Sequence, residues 1–207
     1  MEGIVSSLRE ARKQATRSRV LDAASELFDR VGYNEATIRD IAKAAGVSVG
    51  SVFSSFRSKS DVLSEVMQAR LGDLYADLAR AAPHLRGSAA DRCCSLFAVH
   101  YAFEFRNLRL FLAYLGSAFD WRGDPATPRF SENPRLRGMV RDCLVSGVES
   151  GDVRPDADLD TATELLIAAY GWNYRHAARD ETDATALIQR FDRQIAVIFE
   201  GLAPRAA

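Results

Sequence analysis

From Val20 to Leu202 the apolar side chains recur at helical spacing, and no stretch alternates apolar with polar residues convincingly enough for a strand. That rhythm confines the chain to an all-α fold. Val20, Leu21, Ala24, Leu27, Phe28 and Val31 share one face of a first helix, which Gly32 stops. Thr37 and Asp40 make a capping box that opens a second helix, with Ile38, Ile41, Ala42 and Ala45 turned inward and Gly46 ending it. Ser48 caps a third, short helix carrying Val52 and Phe53. Ser58 and Asp61 make a second capping box ahead of a long amphipathic run from Val62 to Leu78, and Pro83 and Gly87 break the chain after it. Further helices are expected over roughly 89–105, 107–118, 132–150, 158–178 and 183–202. RGDPATPRFSENP at 122–134 reads as a loop and GDVRPDAD at 151–158 as a short turn.

The expected organisation is a basic arm at 1–14, a three-helix helix-turn-helix domain at 15–60 and a larger helical body at 61–207. Charge follows this division. Residues 1–60 hold ten basic and seven acidic side chains, while the whole chain has a net charge of −1, so a weakly basic head sits on an acidic body. No apolar run approaches the roughly 20 residues of a membrane span, and the N-terminus lacks a secretory leader's apolar core. Cys93, Cys94 and Cys143 suggest no disulfide framework. A cytoplasmic protein is expected, with its cysteines acting as small hydrophobes.

Residues 38–56 carry most of the functional information. Two short helices separated by a glycine-containing turn suit a helix-turn-helix: Ala42 is small where helices cross closely, and Gly46 can adopt the positive φ of a sharp exit. With Val47 and Val52 inward, the outer face offers Ser48, Val49, Gly50, Ser51 and Ser54, side chains short enough to let a helix sit deep in a major groove. The series R-V-L-D-A-A-x-x-L-F-x-x-x-G-Y (19–33), T-I-R-D-I-A-x-x-A-G-V-S-V-G-S-V-F (37–53) and F-R-S-K-x-x-x-L (56–63) closely resembles the TetR family of transcriptional regulators.

The resemblance implies a homodimer that binds a palindromic double-stranded DNA operator, joined through its bodies and controlled by a small-molecule effector held there. It implies a repressor, and no cofactor. The apolar width of the last two helices, Leu165, Leu166, Ala168, Ala169, Gly171 and Trp172 on one and Leu187, Ile188, Phe191, Ile195, Ile198, Phe199 and Leu202 on the other, suits either a four-helix dimer interface or packing within one chain. Matched to the family pattern, Thr37 caps the second helix and donates to phosphate, Arg39 reaches a guanine edge, and Ser48, Val49 and Ser51 stand on the recognition helix. Gly50 admits the sugar-phosphate chain, and Lys59 binds phosphate at a helix start. Phe53 stands where a phosphate-touching tyrosine is usual, and Ser55 where a histidine or aromatic is frequent. These departures move the expected phosphate anchoring toward Arg39, Arg57, Lys59 and the basic series Arg9, Arg12, Lys13, Arg17 and Arg19. The residues leave open whether the arm touches DNA or is a solvated tail.

In the body, Phe97, His100, Tyr101 and Glu104 share one helical face, and Met139, Cys143 and Ser146 with Ile167, Tyr170 and Tyr174 stand on two other helices. An apolar stripe with an imidazole, a phenol and a carboxylate suits either a ligand pocket or an ordinary core. The expected ligand-binding set is Phe97, His100, Tyr101, Glu104, Cys143, Tyr170 and Tyr174. His100 and Glu104 have metal-ligand spacing, but His84 and His176 are distant in sequence and no metal is expected. No phosphate loop, G-x-S-x-G turn or H-E-x-x-H motif occurs, so an enzyme is not expected. A helical small-molecule carrier, or an adaptor with weakened DNA binding, is the competing reading.

Overall fold

A computed structural model describes residues 2–118, 133–179 and 182–204. Those residues form α1 (Glu2–Val31), α2 (Ile38–Ala44), α3 (Val49–Phe53), α4 (Lys59–Ala81), α5 (Ala89–Glu104), α6 (Leu108–Ala118), α7 (Pro134–Ser150), α8 (Leu159–Arg179) and α9 (Ala184–Leu202), with single 3₁₀ turns at Ala82–His84 and Phe105–Asn107. The fold is all-α, and the expected helices of the body fall within two residues of those found. The loop expected at 122–134 lies almost entirely outside the described residues. The basic arm is helical, because α1 runs unbroken from Glu2 instead of starting near Arg19.

The chain divides into two compact units, Met1–Leu71 with Arg109–Thr127, and Gly72–Leu108 with Pro128–Ala207. These bounds differ from the division expected at residue 60 because the first half of α4, as far as Leu71, packs with the head.

In the first unit α2 packs on α1 and α3, around Val20, Ala24, Phe28, Ile41, Ala42, Val52 and Phe56, all buried. Local signals set each boundary. Gly32 leaves α1 at φ +87°, and Gly46 makes the turn between α2 and α3 at φ +64°, a backbone region where a Cβ is strained. Thr37 Oγ1 accepts from Asp40 N–H while Asp40 accepts from Thr37 N–H, so the capping box at α2 is complete. Ser48 Oγ accepts from Ser51 N–H and starts α3. At α4 the box is displaced by one residue: Ser58 Oγ accepts from Asp61 N–H, but the Asp61 carboxylate accepts from Arg57 N–H.

In the second unit α5 packs on α9 and α7, and α8 on α7 and α9. Phe97, Tyr101, Leu144, Leu166, Tyr170, Tyr174, Leu187, Phe191 and Ile195 fill the interior. The turn after α7 ties the layers together. Gly151 takes φ +82°, Asp152 accepts from Ala89 N–H at the start of α5, and Arg154 N–H donates to the Leu202 carbonyl at the end of α9.

Candidate functional site

The surface of α2 and α3 is small, polar and outward. Thr37, Arg39, Ser48, Val49 and Gly50 are exposed, while Ser51 and Ser55 are half-buried. Ser48 and Ser51 hydroxyls lie 2.8 Å apart, so their hydrogen-bonding capacity is organised along the helix face. Gly50 has an ordinary φ, and a Cβ there would meet only Ser48 Oγ at 3.8 Å. Nothing inside the chain requires glycine at that position. Phe53 is 53% exposed, a large apolar ring on an otherwise hydrophilic face.

Two cations expected on phosphate are directed inward. Lys59 Nζ donates to the carbonyls of Tyr33 (2.9 Å), Asn34 (3.2 Å) and Ala36 (2.9 Å), and stands 4.4 Å from the Tyr33 ring centroid. An ammonium has three N–H donors, so all are spent on the loop between α1 and α2. Arg17 likewise donates to the Ser55 carbonyl (2.6 Å), pairs with Glu65 and stacks over Phe56 at 4.4 Å. Both position the helix-turn-helix by these intramolecular bonds. Sequence spacing could not show this, because the carbonyls involved become neighbours only after folding. Arg12, Lys13, Arg19 and Arg39 remain exposed basic groups on this unit.

A cavity of about 810 Å³ opens in the second unit between α4, α5 and α7. Tyr75, Leu78 and Ala79 come from α4, Arg92, Ser95, Leu96 and Val99 from α5, and Arg135, Met139, Asp142, Cys143 and Ser146 from α7. Alanines 76, 79, 81 and 82 leave the space that larger side chains would fill. Arg92 matters most for its chemistry. One guanidinium nitrogen donates to the Gly87 carbonyl at 2.7 Å, while Nε and Nη2 are buried and unmatched. The sequence signal for Arg92 is its place on the stripe with Ser95, Leu96 and Val99, one turn from the Ser88 cap.

Of the seven expected ligand residues, Cys143 lines this cavity, as do Met139 and Ser146 beside it. Phe97, His100, Tyr101, Glu104, Tyr170 and Tyr174 are buried in the interior instead, because their stripe faces α8 and α9. Phe97 meets Phe191 edge-on at 4.6 Å, and Tyr170 at 4.9 Å. Glu104 accepts from both the Tyr170 and Tyr174 hydroxyls. Tyr101 donates to the Tyr170 carbonyl (3.1 Å), and Asn173 links Tyr101 to Gln194. Burial, reinforced by the Glu104 charge, pushes the Tyr170 and Tyr174 phenols well above their ordinary range, so both stay protonated donors. His100 Nδ1 stands 3.7 Å from Glu104 Oε1, too far for a direct hydrogen bond.

On the outer side of α8 and α9, Leu165, Ala168, Ala169 and Trp172 with Arg190, Arg193, Val197 and Ile198 line a shallow apolar groove. Leu165, Trp172 and Val197 are each more than half exposed. Of the other apolar-surface residues expected on these two helices, Leu166, Gly171, Leu187, Phe191, Ile195, Phe199 and Leu202 are buried in the core and Ile188 is half-buried. No described helix is long and apolar enough to cross a membrane.

A glycine-turned pair of short helices presenting small polar side chains defines the helix-turn-helix class of DNA-binding proteins. The sequence profile of "Bacterial regulatory proteins, tetR family" matches residues 20–66. The chain is 31% identical over 155 residues to the HTH-type transcriptional repressor KstR2 of Mycobacterium tuberculosis, covering 72% of this chain and 75% of that protein. It is 26% identical over 196 residues to KstR2 of Rhodococcus jostii, covering 92% and 93%. In structure it is similar to Thermus thermophilus FadR, a TetR-family repressor solved with lauroyl-CoA, with a TM-score of 0.75, 27% identity and coverage of 92% and 97%. The chain belongs to the TetR family of bacterial transcriptional regulators, and it is a ligand-responsive DNA-binding repressor.

Proposed function

We propose that this repressor binds a palindromic operator as a cytoplasmic homodimer and leaves it when an apolar effector bearing an acidic group occupies the α4–α5–α7 cavity. The observation that carries the DNA reading is Gly50, a glycine with no internal reason on an exposed recognition face. Arg39, Ser48, Val49 and Ser51 read base edges, Thr37 and the N-terminus of α2 hold phosphate, and Phe53 supplies apolar contact in place of a phenol. The exposed Leu165, Trp172 and Val197 of α8 and α9 meet the same face of a second copy, forming a four-helix interface.

Arg92 supports the effector class. A guanidinium with two unmatched nitrogens beside apolar walls suits an apolar molecule with a carboxylate or phosphate, the kind of ligand carried by FadR of Thermus thermophilus. Effector contact with Tyr75 and Ala79 acts on α4, the helix that begins beside the helix-turn-helix. The catalytic motifs are missing from the sequence, which fits a regulator better than an enzyme.

Selection of protein-bound fragments from random duplex DNA tests the first part: a two-fold symmetric consensus is expected, and no enrichment at low salt would overturn it. Lauroyl-CoA and lauric acid, added separately to the complex, test the second and distinguish a phosphate-rich head from a carboxylate. One of them is expected to weaken DNA binding at least about tenfold, and Arg92→Met to abolish that response while leaving operator affinity unchanged. Failure of both ligands would overturn the effector reading, a monomeric parent protein would overturn the dimer reading, and a Trp172→Glu variant that stays dimeric would overturn the α8–α9 interface.

A further inference from the structure

The cavity wall also brings two cysteines together. A Cβ placed on Gly147 would stand 2.6 Å from the Ala89 Cβ, so α7 and α5 cross there at close range. One turn back along α7 from Gly147 is Cys143, and one turn forward along α5 from Ala89 is Cys93. This antiparallel register sets Cys93 and Cys143 on facing turns of α5 and α7, one turn from that close crossing. Cys93 is fully buried, whereas Cys143 lines the cavity beside Arg92. Cys94 is half-buried, and burial together with the nearby Asp192 carboxylate raises its thiol.

We propose that Cys93 and Cys143 are a redox-active dithiol, oxidised to an intramolecular disulfide by an organic hydroperoxide entering the cavity. The Cys143 thiolate attacks the distal peroxide oxygen, the O–O bond breaks and the alkoxide leaves, taking up a proton as an alcohol. Cys143 is now a sulfenic acid. The Cys93 sulfur attacks it, the S–S bond forms, and the hydroxyl departs with the Cys93 proton as water. The peroxide is the two-electron oxidant and the thiol pair is oxidised. Electrostatics favour this division of labour. The hydrogen bond from Cys93 and the Arg92 charge hold the Cys143 thiol below its ordinary range, despite burial. The Cys93 thiol is pushed well up, and Cys94 is raised to about 12 by burial and Asp192, so neither competes as nucleophile. The short crossing at Gly147 brings the two backbones toward the spacing a disulfide needs. A covalent staple between α5 and α7 gives the cavity a second input, independent of reversible ligand binding.

The test is chemical and does not depend on DNA or effector. The purified full-length protein is treated with cumene hydroperoxide, alkylated without reductant, and read by intact mass and peptide mapping. The expected result is a loss of two hydrogen masses, a Cys93–Cys143 cross-link reversed by dithiothreitol, and Cys94 still alkylated. Cys94→Ser keeps the cross-link, Cys143→Ser abolishes it, and Cys93→Ser stops at a sulfenic acid trapped by dimedone. The proposal is overturned if all three thiols of the unmodified sequence stay alkylatable, or if oxidation falls on Cys94.

Discussion

In the N-terminal unit Lys59 spends its donors on three main-chain carbonyls and Arg17 gives its own to the Ser55 carbonyl and the Glu65 carboxylate, whereas in the C-terminal unit Arg92 gives one nitrogen to Gly87 and keeps two unmatched beside the cavity. Cations whose donors are met inside the fold serve shape, because moving them would strand their acceptors. A cation left short of partners serves recognition, because a ligand can still supply what is missing. The contrast separates basic residues that look alike in sequence.

The largest effect is expected away from both sites, at Glu104→Ala. Removing the acceptor shared by the Tyr170 and Tyr174 hydroxyls leaves buried donors unmatched, and urea unfolding should lose about 3 kcal/mol. A loss below about 1 kcal/mol would show that the interior polar cluster is not a structural network. Lys59→Met tests the inward cation. Thermal or urea unfolding should show about 2 kcal/mol of destabilisation, while the salt slope of DNA binding stays that of the unaltered protein. A slope reduced by about one would return Lys59 to phosphate contact. Thr37→Ala, which removes a cap on an exposed helix, should cost about 1 kcal/mol by the same measurement.

The smallest effect concerns pH. Hydrogen bonds from Thr37, Ser88 and Thr161 hold the carboxyls of Asp40, Asp91 and Asp158 below their ordinary range. The stability these groups lend is complete above the unfolded carboxylate value and drains away as pH falls through the lower folded one. Glu65 runs in the opposite sense. Burial raises it against the pull of Arg17, so its contribution is present in acid and lost as pH rises through the folded value. A urea-midpoint titration in acid should therefore shift for Asp40→Asn and oppositely for Glu65→Gln.

Much of the head was legible because its signals are local. Thr37, Gly46 and Ser48 act on backbone within a few residues, and their caps and turn appear at the positions the spacing indicates. The aim of Lys59 was not legible because its partners lie 23 to 26 residues upstream, and pattern alone cannot direct a flexible side chain. The body divides the same way. Periodicity located α5 to α9, but Met139, Cys143 and Ser146, expected to share a pocket with the Phe97–Glu104 stripe, line the α4–α5–α7 cavity instead. Periodicity could not tell which of two partners the Phe97–Glu104 stripe would face. A stripe that meets α8 and α9 is core, while the neighbouring Arg92–Val99 stripe meets emptiness left by alanines of α4.

The tether of Lys59 has a mechanical consequence. α4 is a single rod of 23 residues, about 35 Å long. A tilt of roughly 5° about one end sweeps the other through about 3 Å, close to the rise of one base pair. Because its first residue is tied to three carbonyls of the preceding loop, any swing of that end carries the α1–α2 loop with it.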